Sequence, residues 1–274
     1  MPELPEVETV ARGLRQTIIG HTIRRVQIKP TASTHPDPDR FASLLRGATI
    51  VAVARRGKNI LIHLSSDYTL WVHLKMTGHF YYLPQSHPTD KHDHLVFHFK
   101  DNQYTLRFND YRRFGRLRLY PTAAVMMQKG LAELGPEPLD LAADDFVKLL
   151  STRRRMIKPA LLDQTVLAGI GNIYADESLY LARIHPQRLS DSLSRPKAKE
   201  LHGHIQAILR RAIRLMGTTV DTFTGVNGRP GRFQNCLQVY GREGEPCQRC
   251  GAAIIRRRIG SRSAHYCPRC QRPK

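Results

Sequence analysis

The chain has 274 residues, enough for more than one hydrophobic core where domains run about 100–200 residues, so two domains are expected. Its 43 Lys and Arg outweigh 23 Asp and Glu, and the formal charge of +20 calls for a polyanionic partner, nucleic acid ahead of an anionic surface. No apolar run nears the ~18 residues of a spanning helix and the acidic start lacks a signal peptide's basic flank, which argues against a membrane role and for a cytoplasmic address.

The sequence opens MPELPEVETV. Val7, Val10, Ala11 and Leu14 recur at helical spacing, Pro5 suits a first turn, and the early carboxylates suit the positive end of a helix. Gly20 is the stop. From residue 22 to about 120 the period changes to two: Ile60, Ile62 and Leu64 alternate, then Leu95, Phe97 and Phe99, then Tyr104, Leu106 and Phe108. Turn signals separate these runs, which predicts an antiparallel sandwich or barrel behind one leading helix. A stretch rich in Gly, Pro and acid, residues 130–145, reads as a linker, and helices are predicted over 145–151, 156–162, 172–182 and 196–216.

Between the second and third of these helices lies DQTVLAGIG, whose Gly169 and Gly171 permit a tight turn. Such a turn would present free N–H groups at the next helix start, with Asn172 at its mouth, and would suit a phosphate. An ordinary helical hairpin fits the spacing equally well. Residues 217–235 form a long Gly- and Thr-rich loop, a composition suited to a mobile lid. At the far end Cys247, Cys250, Cys267 and Cys270 are spaced C-x2-C-x16-C-x2-C, so each pair can grip one side of a tetrahedral Zn²⁺. Four thiolates leave no open position, which makes that ion structural; two disulfides are the alternative, poorly suited to a cytosolic chain. Residues 240–274 carry nine Lys or Arg against two Glu, a net +7, so this ribbon is expected to touch phosphate. Cys236 is left over as a plain thiol.

PELPEVETV, RRGKN, HLKMTG, KHDH, DYRRFG, GIGNIYADE and the cysteine ribbon occur in one order. Together they resemble bacterial formamidopyrimidine-DNA glycosylase, the 8-oxoguanine repair enzyme, along essentially the whole chain. The resemblance implies an α+β protein of two domains: a catalytic β-sandwich with its leading helix (1–130), a linker (131–144), a helix-two-turn-helix domain with a lesion-covering loop (145–235), and a zinc ribbon (236–274). DNA would lie in the cleft between domains. It further implies a monomer that repairs double-stranded DNA with oxidised purines, holds one Zn²⁺, and is associated with the nucleoid.

The site residues follow from the same resemblance. Pro2, once Met1 is removed, matches the nucleophile whose secondary amine attacks C1′ and leaves an iminium link. A generic α-amino group with a pKa of about 7.7–8.0 is far more often neutral at pH 7 than a lysine at about 10.4, so a chain terminus is a pre-activated amine. Glu3 matches the general acid that opens the sugar ring, and Glu6, one helical turn on, faces the same pocket. Without the family, both carboxylates would be helix-end acids, the reading kept for Glu8. Lys58 matches the proton donor for β-elimination and Arg262 the ribbon arginine tied to δ-elimination. Met76, Arg112 and Phe114 match the side chains that fill the gap left by a flipped nucleotide. Phosphate contacts carry over to His92, Arg112, Arg153, Lys158 and Asn172. Two positions depart from pattern: Tyr111 stands where proline is usual, and Ala264 where threonine is common. His73 and His202 are expected to be structural.

Overall fold

The computed structural model describes residues 1–100, 102–220 and 223–273. The chain divides into two compact units, Met1–Ala132 with Leu215–Arg232, and Glu133–Arg214 with Phe233–Lys274.

The first unit begins with α1 (Leu4–Thr17) and continues through β1 (Ile23–Ile28), β2 (Thr34–His35), α2 (Pro38–Leu45), β3 (Ile50–Arg56), β4 (Asn59–Leu64), β5 (Tyr68–His73), β6 (His79–Pro84), β7 (Asp93–Phe99), β8 (Tyr104–Asn109), β9 (Arg116–Pro121) and α3 (Thr122–Val125). Among the described residues, one sheet runs β1-β7-β8-β6 and the other β2-β9-β5-β4-β3. Ile60, Val72 and Leu117 from one sheet meet Phe80, Leu95, Phe97 and Phe108 from the other in a single core, capped by Val10 and Leu14 of α1 and by Phe41 of α2. The result is a helix-led β-sandwich.

Alternation predicts most of the inward set but not all. Tyr104 is 42% exposed, whereas Arg107, which falls on the polar side of the same strand, is 2% exposed. Its guanidinium donates to the carbonyls of Pro84, His87 and Pro88 and faces Asp93, so a planar five-donor group pins the loop before β7. Two features depart from one helix ahead of an antiparallel sheet. α2 is started by Asp37, which accepts the Arg40 N–H at 3.0 Å, and by a proline in the first turn. β2 pairs with β9 in parallel, Thr34 opposite Leu117.

The second unit contains α4 (Ala143–Ser151), α5 (Ile157–Leu162), α6 (Asn172–Leu181), α7 (Arg195–Arg214) and the hairpin β10 (Ile255–Ile259) and β11 (Arg262–Tyr266). α6 is buried from Tyr174 to Tyr180, as befits a central helix. α7 offers it a stripe of Leu201, Ile205, Leu209 and Ala212. Residues 133–142, which read as a linker, are packed down here: Gly135 N–H donates to Gln164 O, and a Cβ at Gly135 would lie 2.6 Å from Val166 backbone. Gln206 and His202 of α7 donate to the carbonyls of Pro138 and Leu141.

The Gly- and Thr-rich loop is grouped with the helical domain by sequence, yet Leu215–Arg232 packs with the first unit. Phe223 and Val226 join the sandwich core, and Val226 O accepts the Tyr82 N–H. No helix among the described residues is long and apolar enough to cross a membrane.

Candidate active site and nucleic-acid interface

Pro2, Glu3 and Glu6 are all buried at the head of α1. Glu3 is the N-cap in extended conformation and forms a reciprocal capping box with Glu6. Glu6 Oε2 accepts the Glu3 N–H at 2.8 Å, which orients the Pro2–Glu3 peptide, while Oε1 accepts the Thr218 N–H at 2.7 Å. Gly217 adopts φ +80, and a Cβ there would lie 2.8 Å from Glu6 Oε1, so only glycine lets this backbone approach so closely. Glu6 thus bridges the expected nucleophile to the start of the expected lesion-covering loop.

Lys58 lies in the β3–β4 turn and is 6% exposed. Arg55 anchors that turn to α1, donating to Glu8 Oε2 at 3.1 Å and to Gly57 O at 3.0 Å. Asn59 braces the other side, donating to Arg56 O and accepting the Trp71 indole N–H. Glu8 also takes Arg12 and Arg15 at 3.0 Å each. Burial pushes its carboxyl up, but hydrogen bonds from Arg15 and Arg12 and the field of Arg15 and Arg55 hold it below the usual carboxylate range. His73, paired with Asn59 in the sheet, is pushed down to about 3 by burial and then by Lys75, Lys58 and Arg116, so its imidazole is neutral. Its Nδ1 accepts the Lys75 N–H, a structural role as expected.

Met76 (38%) and Phe114 (51%) are exposed apolar side chains on turns where Lys75 and Arg113 take positive φ. Arg112 is exposed too, its guanidinium carbon 5.0 Å from the Phe114 ring centroid. The structure therefore brings this trio to one surface region and leaves it unburied. His92 is half-buried, its N–H donating to Asp90 and its ring edge-on to Tyr111.

In the second unit, Gln164 shapes the turn between α5 and α6: its amide donates to Leu162 O and Ile170 O and accepts the Gly169 N–H. Asn172 opens α6, and its Oδ1 is buried without a hydrogen-bond partner among the described residues. Arg153 is half-buried and donates to Leu149 O. Lys158 is fully buried instead of open to solvent; its ammonium lies 2.5 Å from both Asp176 Oδ1 and Ser263 O, and the other Asp176 oxygen accepts the His265 N–H. That buried pair ties α5 and α6 to β11. Glu177 accepts the N–H groups of Gln238, Val239 and Tyr240, fixing the strand of chain that enters the ribbon.

The four ribbon sulfurs lie within 4.8 Å of one another, with Cys247–Cys270 at 3.9 Å and Cys250–Cys267 at 3.4 Å. Tetrahedral zinc at about 2.3 Å from each sulfur sets them about 3.8 Å apart, so the donor set and its spacing fit Zn²⁺ and not disulfides. The Tyr180 hydroxyl of α6 sits 3.3 Å from Cys247 Sγ. Arg262 is exposed at the start of β11, where Arg256, Arg257 and Arg258 join it around a concavity of about 480 Å³. Ala264 is buried against Ile259 and Tyr266, a place for a small side chain.

The profile of the formamidopyrimidine-DNA glycosylase N-terminal domain matches residues 1–117, that of its H2TH domain 134–224, and that of the zinc finger found in FPG and IleRS 244–273. With the fold, they define the class: a DNA glycosylase built from a helix-led sandwich, a helix-two-turn-helix module and a zinc ribbon. The formamidopyrimidine-DNA glycosylases of Pelotomaculum thermopropionicum and Heliobacterium modesticaldum are 46% and 45% identical, covering 100% and 99% of this chain and 100% of each relative. The solved complex of Lactococcus lactis Fpg with abasic-site DNA has a TM-score of 0.93 at 38% identity, covering 99% of this chain and 100% of that one. The chain belongs to the formamidopyrimidine-DNA glycosylase family.

Sequence reasoning does not find the Glu8–Arg55 brace behind Lys58, nor Gly217 and Thr218 as partners of Glu6. Arg55 in RRGKN, three residues before Lys58, is the one signal that points to the first. No local signal marks the second, because its partners are more than 200 residues apart.

Proposed function

We propose that the chain is a bifunctional DNA glycosylase and AP lyase that excises oxidised purines, 8-oxoguanine and formamidopyrimidines, from duplex DNA in base excision repair. The observation that carries this reading is the head of α1, where a buried proline adjoins one buried carboxylate and has its peptide held by a second. Solved complexes of Lactococcus lactis Fpg contain DNA with an abasic site and with Fapy-dG, which supports the substrate class.

The chemistry follows from the groups present. Removal of Met1 frees the Pro2 nitrogen, whose lone pair attacks C1′ while the C1′–N bond to the base breaks; the base leaves with that electron pair and takes up the proton that the attacking amine sheds. The Glu3 carboxyl gives its proton to the ring oxygen; that oxygen departs from C1′ and an iminium joins Pro2 to the opened sugar. Glu6 positions this pair through the Glu3 N–H and takes no proton itself. Loss of a C2′ proton then expels the 3′ phosphate, and a second elimination expels the 5′ phosphate, with Lys58 and Arg262 as the cationic groups of the two steps. Met76, Arg112 and Phe114 occupy the gap left in the stack, Arg112 meeting the widowed cytosine. His92, Arg153 and Asn172 hold phosphates; Lys158 contributes by fixing the turn from within. Cys247, Cys250, Cys267 and Cys270 would hold zinc, which when bound supplies a fixed crosslink and no reactive position. A net charge of +20 supports residence on DNA, which for a chromosomal substrate means the cytoplasm, and its self-repulsion favours a monomer.

Lactococcus lactis Fpg has also been solved with DNA containing an oxidised pyrimidine, which supports a secondary activity on such lesions. Comparing excision from 8-oxoguanine and thymine glycol duplexes measures it. Borohydride reduction in the presence of duplex with 8-oxoguanine opposite cytosine should trap a covalent complex, and Pro2→Gly should abolish it. A complex that survives Pro2→Gly rules out this nucleophile.

A further inference from the structure

We infer that Asp110 is the positioning residue that sets Met76, Arg112 and Phe114, and through them the preference for the base opposite the lesion; this rests on the proposed function and deepens it. Asp110 is 1% exposed and directly follows β8. Its backbone is fixed on both sides, the N–H donating to His92 O at 3.0 Å and the carbonyl accepting from His94 Nε2 at 2.9 Å. Its carboxylate then gathers three donors. Oδ1 accepts the Thr77 hydroxyl in a very short bond and the Arg112 N–H at 3.2 Å, and Oδ2 accepts the Gly115 N–H at 2.7 Å.

These donors are not scattered. Thr77 directly follows Met76, Gly115 directly follows Phe114, and the third donor is the backbone of Arg112 itself. One buried carboxylate therefore holds two separate turns in a single register, and the Arg112 N–H also reaches Thr77 Oγ1 at 3.3 Å, closing the link between them. Gly115 has no room for a side chain, since a Cβ would lie 2.5 Å from the Phe108 ring and 3.1 Å from Asp110 Oδ2. Because the three gap-filling side chains are exposed, core packing does not fix them, and their placement falls to these backbone anchors. Only a group with acceptors alone satisfies three converging donors. In Asn one of the two positions becomes NH₂ and meets another donor.

The test compares single-turnover excision of 8-oxoguanine opposite cytosine and opposite adenine by the wild type, Asp110→Asn, Thr77→Val and Arg112→Ala, with 2-aminopurine fluorescence beside the lesion reporting the filled gap. Asp110→Asn and Thr77→Val should each lower the cytosine preference about tenfold, the scale of one base-reading contact, and change the fluorescence, while Schiff-base trapping at a preformed abasic site is retained. Thr77→Val is nearly isosteric and carries the test if Asp110→Asn does not fold. An unchanged preference in both, with Arg112→Ala lowering it, overturns the role of Asp110 and leaves the gap-filling assignment standing. An unchanged preference in Arg112→Ala overturns that assignment, and this inference with it.

Discussion

Glu8 holds three guanidinium groups within 3.1 Å, and one of them, Arg55, braces the turn that carries Lys58. Its carboxyl titrates below the ordinary value of 4.5 in the folded chain, so the stability it contributes is present above that value and is lost as pH falls through the lowered one. His73 acts in a higher window. Its folded value of about 3 lies below the unfolded 6.5, so the unfolded chain binds the extra proton between those limits and stability falls as pH drops from 6.5. Thermal unfolding across pH 3–7 tells the two apart: Glu8→Gln should cost on the order of 1 kcal/mol at neutral pH and reduce the loss below pH 4.5, where the His73 contribution persists, while leaving the loss between 6.5 and 4.5 in place. An unchanged acid limb in Glu8→Gln would show that the three arginines do not stabilise the fold through this carboxylate.

At the scale of elements, the ribbon has a very small core of its own, with Val239 and Ile254 packed around the cysteines and Ile259, Ala264 and Tyr266 beneath the hairpin. Zinc binding is therefore a large part of its folding energy, beside the ties from Lys158, Asp176 and Glu177. Chelation should unfold residues 240–274 and lower DNA affinity while the sandwich's circular dichroism persists; metal-free protein binding DNA with undiminished affinity would remove the ribbon from the interface. What the sequence makes legible follows the same division between local and distant. α5, α6 and α7 fall close to their expected spans and the cysteine spacing gives the metal site, because each depends on neighbours in the chain. The parallel β2–β9 pair, the docking of Leu215–Arg232 on the sandwich and the burial of Lys158 against Asp176 and Ser263 depend on partners 18 to over 100 residues away, which no local period encodes. Asp110 joins this second group through Thr77, 33 residues away: DYRRFG advertises its arginines, while the carboxylate that links Thr77 to the Arg112 N–H reads as one more turn residue.

For the whole molecule, a charge of +20 makes binding a counterion-release process, and log affinity should fall with log salt at a slope near −0.9 for each phosphate neutralised. Arg153→Ala should reduce that slope by about 1, whereas Lys158→Met, which removes an ammonium already neutralised inside the second unit, should leave it unchanged. A reduced slope in Lys158→Met would return this lysine to the phosphate surface. In the proposed function the acidic, proline-led start serves chemistry and not adhesion, with Pro2 assigned the amine, Glu3 the proton and Glu6 the alignment. Mass spectrometry of the borohydride-reduced complex, after proteolysis, tests that assignment most directly. The sugar adduct should sit on the N-terminal peptide, at the nitrogen of a Pro2 that has lost Met1, and protein retaining Met1 should bind lesion DNA without any adduct. An adduct on the peptide containing Lys58, or on protein that keeps Met1, would contradict it.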